Sequence, residues 1–240
     1  MKSPIARLAF IACLIASGAA NLTAQTNMGT IKGHVHLTGK LPGNPVIRMG
    51  MDPKCNKMNA GKRVIQEYAV ATIDGSLANV FVRLQGTFPQ TPVPAQPVLI
   101  DQRGCVYTPR VVGARVGQAV QVRNSDDLLH NVDALSGKTN GFNVGQPRAG
   151  LVYEFKPKNE EVMMHIKCDI HNWMNVWVGI VSHPYFGVSN TTGTFEIGKV
   201  PPGTYTIEAW HERFGTVKKT VTVKAGAVAT LDFTYASPEK

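Results

Sequence analysis

From Gly29 onward, apolar and polar residues alternate in short runs that glycine and proline repeatedly interrupt. Alternation with a period of two lines one face of an extended strand, whereas a helix needs apolar residues three and four positions apart. Residues 29–37 (GTIKGHVHL), 78–84 (ANVFVRL), 98–100, 106–112, 119–123, 152–155, 162–166 and 176–182 read as strands. So do 186–188, 193–197, 203–210, 216–223 and 229–235. No long stretch keeps a helical period, and only 44–64 and the glycine-bearing loop 136–150 leave room for a short helix. With 23 glycines and 15 prolines in 240 residues, the chain is expected to be all-β sandwich material. Its length allows one large or two small domains. A hydrophobic content of 43% excludes a disordered chain.

Lys2 and Arg7 precede an apolar run, 8–15, and small residues at 16–20. This is the pattern of a secretory signal, cleaved after Ala20 or Ala24, so that 1–24 is a leader. The run is short for a membrane span. The expected location is periplasmic or secreted, with no transmembrane anchor after cleavage. Loss of Lys2 and Arg7 takes two from the formal charge of +9. A chain this basic suits an acidic protein partner or an anionic surface, and equally a plain solvated surface. Basic residues are not interleaved with aromatics in clusters, so nucleic acid is not an expected partner.

Beyond the leader stand Cys55, Cys105 and Cys168, an odd number in a chain expected to be exported. Cys168 lies among candidate metal ligands, which leaves Cys55 and Cys105 as the expected disulfide. The sharpest local pattern is Cys168-Asp-Ile-His171-Asn-Trp-Met174, a thiolate, an imidazole and a thioether within one short loop. Upstream, His130 follows the polar turn Asn124-Ser125-Asp126-Asp127. Two His and one Cys with a weak axial Met form the ligand set of blue-copper sites. Such a set compromises between the soft, low-coordinate preference of Cu(I) and the harder preference of Cu(II), so little moves when an electron does. Taken singly, each residue has a plainer reading: a satisfied core histidine, half a disulfide, a core methionine. Zinc is the natural rival for Cys and His, but it does not need the thioether. His165, three residues before Cys168, falls on the opposite strand face and is not counted as a ligand. His34 and His36 share one face of the first strand, a solvated face; His183 and His211 read as structural.

On these residues, 98–182 resembles the cupredoxin family. Cys168-x-x-His171-x-x-Met174 is similar to the ligand-loop spacing of amicyanin. The stretch from Tyr107 to His130-Asn131-Val132 resembles the plastocyanin and amicyanin approach to the first His. The resemblance implies a Greek-key β-sandwich (97–182) holding one type 1 copper per chain on His130, Cys168, His171 and Met174. It implies a hydrogen bond from the Asn131 N–H to the Cys168 sulfur, and a surface-exposed His171 that passes electrons. Trp173 departs from the family pattern and either shields the metal or meets a partner.

Residues 188–211 (VSNTTGTFEIGKVPPGTYTIEAWH) resemble the carboxypeptidase regulatory-like, transthyretin-like β-sandwich. The usual opening of that family appears far upstream as Gly29-Thr-Ile-Lys-Gly-His-Val35. The expectation is therefore one sandwich from 183–236, completed by 29–96, with the copper domain inserted. The alternative is a separate C-terminal domain. The expected function is single-electron transfer between redox protein partners, not catalysis. Two other readings stay open: a copper-binding or delivery protein without redox turnover, and an adhesion or carbohydrate-binding module.

Overall fold

The computed structural model describes residues 27–238, so the expected leader lies outside the described residues. The β1 strand (Gly29–Thr38) alternates buried Ile31, Val35 and Leu37 with more exposed neighbours, as its sequence dictates. The β2 strand (Phe81–Gln85) buries Phe81, Val82 and Leu84 and leaves Arg83 and Gln85 part-buried. Between them, a 3-10 turn (Met49–Met51) leads into a short helix, α1 (Pro53–Met58). Asp52 caps that helix, its carboxylate accepting from Lys54 N and Cys55 N, with proline in the first turn.

Nine strands follow: β3 (Val98–Gln102), β4 (Tyr107–Thr108), β5 (Val111–Arg115), β6 (Val120–Asn124), β7 (His130–Leu135), β8 (Phe142–Gln146), β9 (Val152–Phe155), β10 (Glu161–Lys167) and β11 (Asn175–Val181). They make two sheets, in the orders β4-β3-β6-β9 and β5-β11-β10-β7-β8. The pairs β3–β6 and β5–β11 are parallel; the other pairs are antiparallel. Between the sheets lies one core containing Ile100, Val122, Val132, Ile166, Val176 and Val178.

The remaining strands are β12 (Phe186–Val188), β13 (Thr194–Val200), β14 (Gly203–His211), β15 (Gly215–Val223), β16 (Val228–Thr230) and β17 (Phe233–Ala236). They build a second sandwich together with β1 and β2. One sheet runs β12-β2-β14-β15; the other has β13-β1-β16, with β17 also on β1. Thus β1 pairs antiparallel with β13 and parallel with β16 and β17. Ile31, Leu77, Val82, Leu84, Ile197, Ile207 and Phe233 fill the core. The all-β expectation holds, and the sandwich that the cupredoxin resemblance implies is present in β3–β11.

One detail differs from the sequence reading. Residues 136–150 were expected as a loop or short helix, yet they contain β8, paired along β7 from His130↔Gln146 to Ala134↔Phe142. Gly145 within it, and Gly137, Gly141 and Gly150 around it, make the stretch read as a loop. The two sandwiches also interlock at a glycine notch. Gly113 and Gly179 sit side by side on β5 and β11. A Cβ on Gly179 would lie 2.4 Å from the Phe81 ring, and one on Gly113 2.3 Å from that of Phe186.

Candidate metal centre

β10 and β11 pair antiparallel up to Lys167↔Asn175, so the segment between them must turn within a few residues. The turn closes on itself: Cys168 N donates to Met174 O at 3.2 Å, and Met174 N donates to His171 O at 2.8 Å. Cys168, His171 and Met174 therefore project from a loop clamped at both ends. His130 opens β7, two strands along that sheet's order from β11. Its neighbour Asn131 is tied to the ligand loop, its side chain accepting from Asp169 N at 2.6 Å and donating to the Asp169 carboxylate at 2.9 Å.

Three of the four expected ligands converge. The two Nδ1 atoms of His130 and His171 face each other at 3.1 Å, and Cys168 Sγ lies 3.7 Å from His171 Nδ1. All three donor atoms lie within 4.8 Å of one another. Residue exposure is 0% for His130, 1% for Cys168, 1% for His171 and 0% for Met174. Asn131 N points at Cys168 Sγ from 3.5 Å.

Two carboxylates decide which imidazole edge faces inward. His130 Nε2 lies 3.0 Å from Asp126 Oδ2, and His171 Nε2 lies 3.1 Å from Asp52 Oδ2. Asp126 is fixed by the backbone N–H groups of Gly104 and Cys105. Burial pushes its carboxyl up, but the bonds from His130, Cys105 and Gly104 hold it below the usual range. The bond from the Cys55 N–H, then that from His171, lowers Asp52 in the same way. An ionised carboxylate cannot donate, so each Nε2 carries a hydrogen, and the neutral imidazole then presents a lone pair at Nδ1. Two lone pairs and a sulfur facing one dry point repel unless a cation lies among them. A bridging proton would satisfy the two nitrogens and leave the sulfur out. Burial pushes the Cys168 thiol up, yet the His130 and His171 side chains, which can donate to the sulfur when an inward nitrogen is protonated, and the Asn131 N–H bring it down to about 6. A thiolate and two oriented imidazoles, each backed by a carboxylate, fit a bound transition-metal ion.

Sequence reasoning missed Asp52 and Asp126. Asp126 stands four residues before His130 in a stretch read only as a turn, and the spacing to a ligand was its available signal. Asp52 reaches the site only through tertiary structure. The Cys55–Cys105 disulfide is formed, and it ties α1 to the β3–β4 turn beside the ligand loop. Asn59 reinforces this with a bond from its amide to Gly104 O at 3.0 Å. The expectation of a surface His171 is thereby corrected, because α1 and its cap cover that imidazole edge. Trp173 is half-buried against His171, ring centroids 5.2 Å apart, and its indole N–H donates to Cys105 O at 2.8 Å. It shields the centre. His165 lies elsewhere, stacked on Trp177 and bonded to Asn175.

The second sandwich has its own counterpart among known families. Residues 180–236 match the family model of the carboxypeptidase regulatory-like domain. That carboxypeptidase regulatory-like region includes β12 to β17, but not the β1 and β2 strands built into the same sheets. No curated protein matches the chain. Among solved structures, the chain is similar to a Cu-containing nitrite reductase from Thermus scotoductus SA-01, with 18% identity, TM-score 0.34 and 41% of this chain covered. It spans only 25% of that enzyme. A purple cupredoxin from Nitrosopumilus maritimus aligns with 20% identity and TM-score 0.31, over 35% of this chain and 98% of that one. A Cu(I) amicyanin mutant aligns with 16% identity and TM-score 0.32, over 41% and 97%.

Proposed function

We propose that the chain is an exported single-electron carrier with a type 1 copper ion held by His130, Cys168, His171 and Met174. The observation that carries this is the convergence of two Nδ1 atoms and one cysteine sulfur at a buried point, with both Nε2 edges occupied by carboxylates. Copper bound there supplies a one-electron couple. The protein's part is to hold the ligands still. Asp52 and Asp126 fix the imidazole planes, the Asn131 N–H supports negative charge on sulfur, and the strand pairing on either side of the loop resists movement. A frame that barely rearranges keeps electron transfer fast. Trp173 and α1 exclude water and substrate, which favours a carrier over a catalyst. The same burial argues against a delivery protein, which needs an accessible ion.

The disulfide fits an oxidising compartment. The discontinuous organisation is also part of the proposal: 29–96 and 183–236 form one sandwich, with 97–182 inserted, supported by the pairing of β1 with β13, β16 and β17. Electrons would pass through the surface above α1. There Met51 is 93% exposed, Ile170 and Leu129 are also exposed, and Arg48, Lys54, Lys57, Lys62 and Arg63 outnumber Asp52 and Glu67. Such a surface suits an acidic redox protein.

Loading the apoprotein with Cu(II) tests the reading. An intense thiolate-to-copper band in the visible, lost in Cys168→Ser, is expected. A colourless protein that takes up only Cu(I) would overturn it.

A further inference from the structure

The two imidazoles have a second side, and it is equally built. Around His171 Nε2 lie Asp52 and Cys55, with Cys55 Sγ at 3.6 Å. Around His130 Nε2 lie Asp126 and Cys105, the donor atoms of that trio also within 4.8 Å of one another. The disulfide joins the two trios into one cluster. Both cysteines are completely buried. Their sulfurs are masked as metal donors only by their bond to each other.

We propose that reduction of the Cys55–Cys105 disulfide opens a second site, one that takes a soft monovalent cation, Cu(I), between the two sulfurs. A dithiol reductant supplies the two electrons. The Cys55–Cys105 bond breaks, the reductant's own disulfide forms, and each cysteine gains a proton. Binding Cu(I) then releases both protons to water and leaves a two-sulfur complex. The Cα atoms stand 5.8 Å apart, so rotation of the two side chains separates the sulfurs with the ion between them while the backbone stays in place. Paired thiolates select soft ions. Asp52 and Asp126 are already engaged by backbone N–H groups and imidazoles. They stay at the periphery, which disfavours a harder ion such as Zn(II). This site shares no donor with Cys168 or Met174, so it stands or falls separately from the electron-carrier reading.

The test uses the full exported chain, reduced with a phosphine, desalted without oxygen and titrated with Cu(I) against a chromophoric chelator. The reduced protein is expected to bind one more Cu(I) than the disulfide-intact protein. The increment should persist in Cys168→Ser and vanish in the double variant Cys55→Ser, Cys105→Ser. Cu(I) should also shield Cys55 and Cys105 from alkylation, read at each peptide by mass spectrometry. Equal stoichiometry before and after reduction overturns the proposal, as does alkylation that Cu(I) leaves unchanged. Loss of the folded circular dichroism signal on reduction also overturns it, because the site needs the frame. An increment that disappears in Cys168→Ser assigns the extra ion to the first centre and likewise overturns it. An increment without any visible band in the Cu(II)-loaded protein would uphold this site and reject the electron carrier.

Discussion

A carboxylate behind each imidazole is a small feature with a measurable effect. Asp126→Asn and Asp52→Asn keep the shape but let an amide N–H face Nε2, which weakens control over the tautomer that aims Nδ1 inward. Each is expected to lower copper affinity roughly ten- to a hundredfold, measured by chelator competition. Asp126 should cost more, since it is buried whereas Asp52 is partly exposed. A different histidine sets an acid limit on stability. His211 is 1% exposed, stacked on Phe214, and its Nδ1 accepts from Arg213 N. Burial, then the charges of Arg110 and Arg213, depress it to about 4. The unfolded chain protonates this group near its ordinary value of about 6.5. Between there and about pH 4 the unfolded state binds a proton that the folded state refuses. Stability therefore falls as pH drops through that window, by on the order of 3 kcal/mol at most. Denaturant midpoints taken across it should show a shallower acid loss in His211→Phe than in the parent.

Among the elements, the notch formed by Gly113 and Gly179 shows how two sheets from different sandwiches come into contact. Phe81 on β2 is 1% exposed and lies where a side chain at 179 would be. Gly179→Ala forces that ring aside and should cost about 1–3 kcal/mol. A lowered Tm with an unchanged copper spectrum is the expected pair of results; a lost spectrum would mean that the notch positions the ligands too. Strands such as β1, β14 and β15 were legible because each alternates over a long run between clear turns. The β8 strand was not, since it is short, holds Gly145 and sits among other glycines that read as loop. The ligand loop was legible because Cys168, His171 and Met174 are close in sequence. Asp52 was not: the Cys55–Cys105 pairing was expected, but a pairing alone does not show that α1 and its cap pack over His171. The exposed imidazole expected from family resemblance failed for the same reason: residues 44–67 lie outside the resembling stretch, yet they cover the site.

At the scale of the molecule, a buried ion pair links the two sandwiches. Arg110, just before β5, makes two bonds to Glu212, just after β14, at 2.7 and 2.6 Å. Trp177 donates to the same carboxylate at 3.1 Å. Arg110→Ala leaves Glu212 buried with its cation gone, which should cost roughly 3–5 kcal/mol. Adding Glu212→Gln should recover a good part of that. A double-mutant cycle in denaturant measures the coupling, and additive losses would show that the pair does not join the two halves energetically. The strand order has a further, temporal consequence. Since β1 rests between strands drawn from the far end of the chain, a polypeptide threaded out amino-terminus first presents that strand long before its neighbours exist. The inner sandwich can close while the outer one waits, so β1, the first of the described strands in chain order, is among the last to be seated.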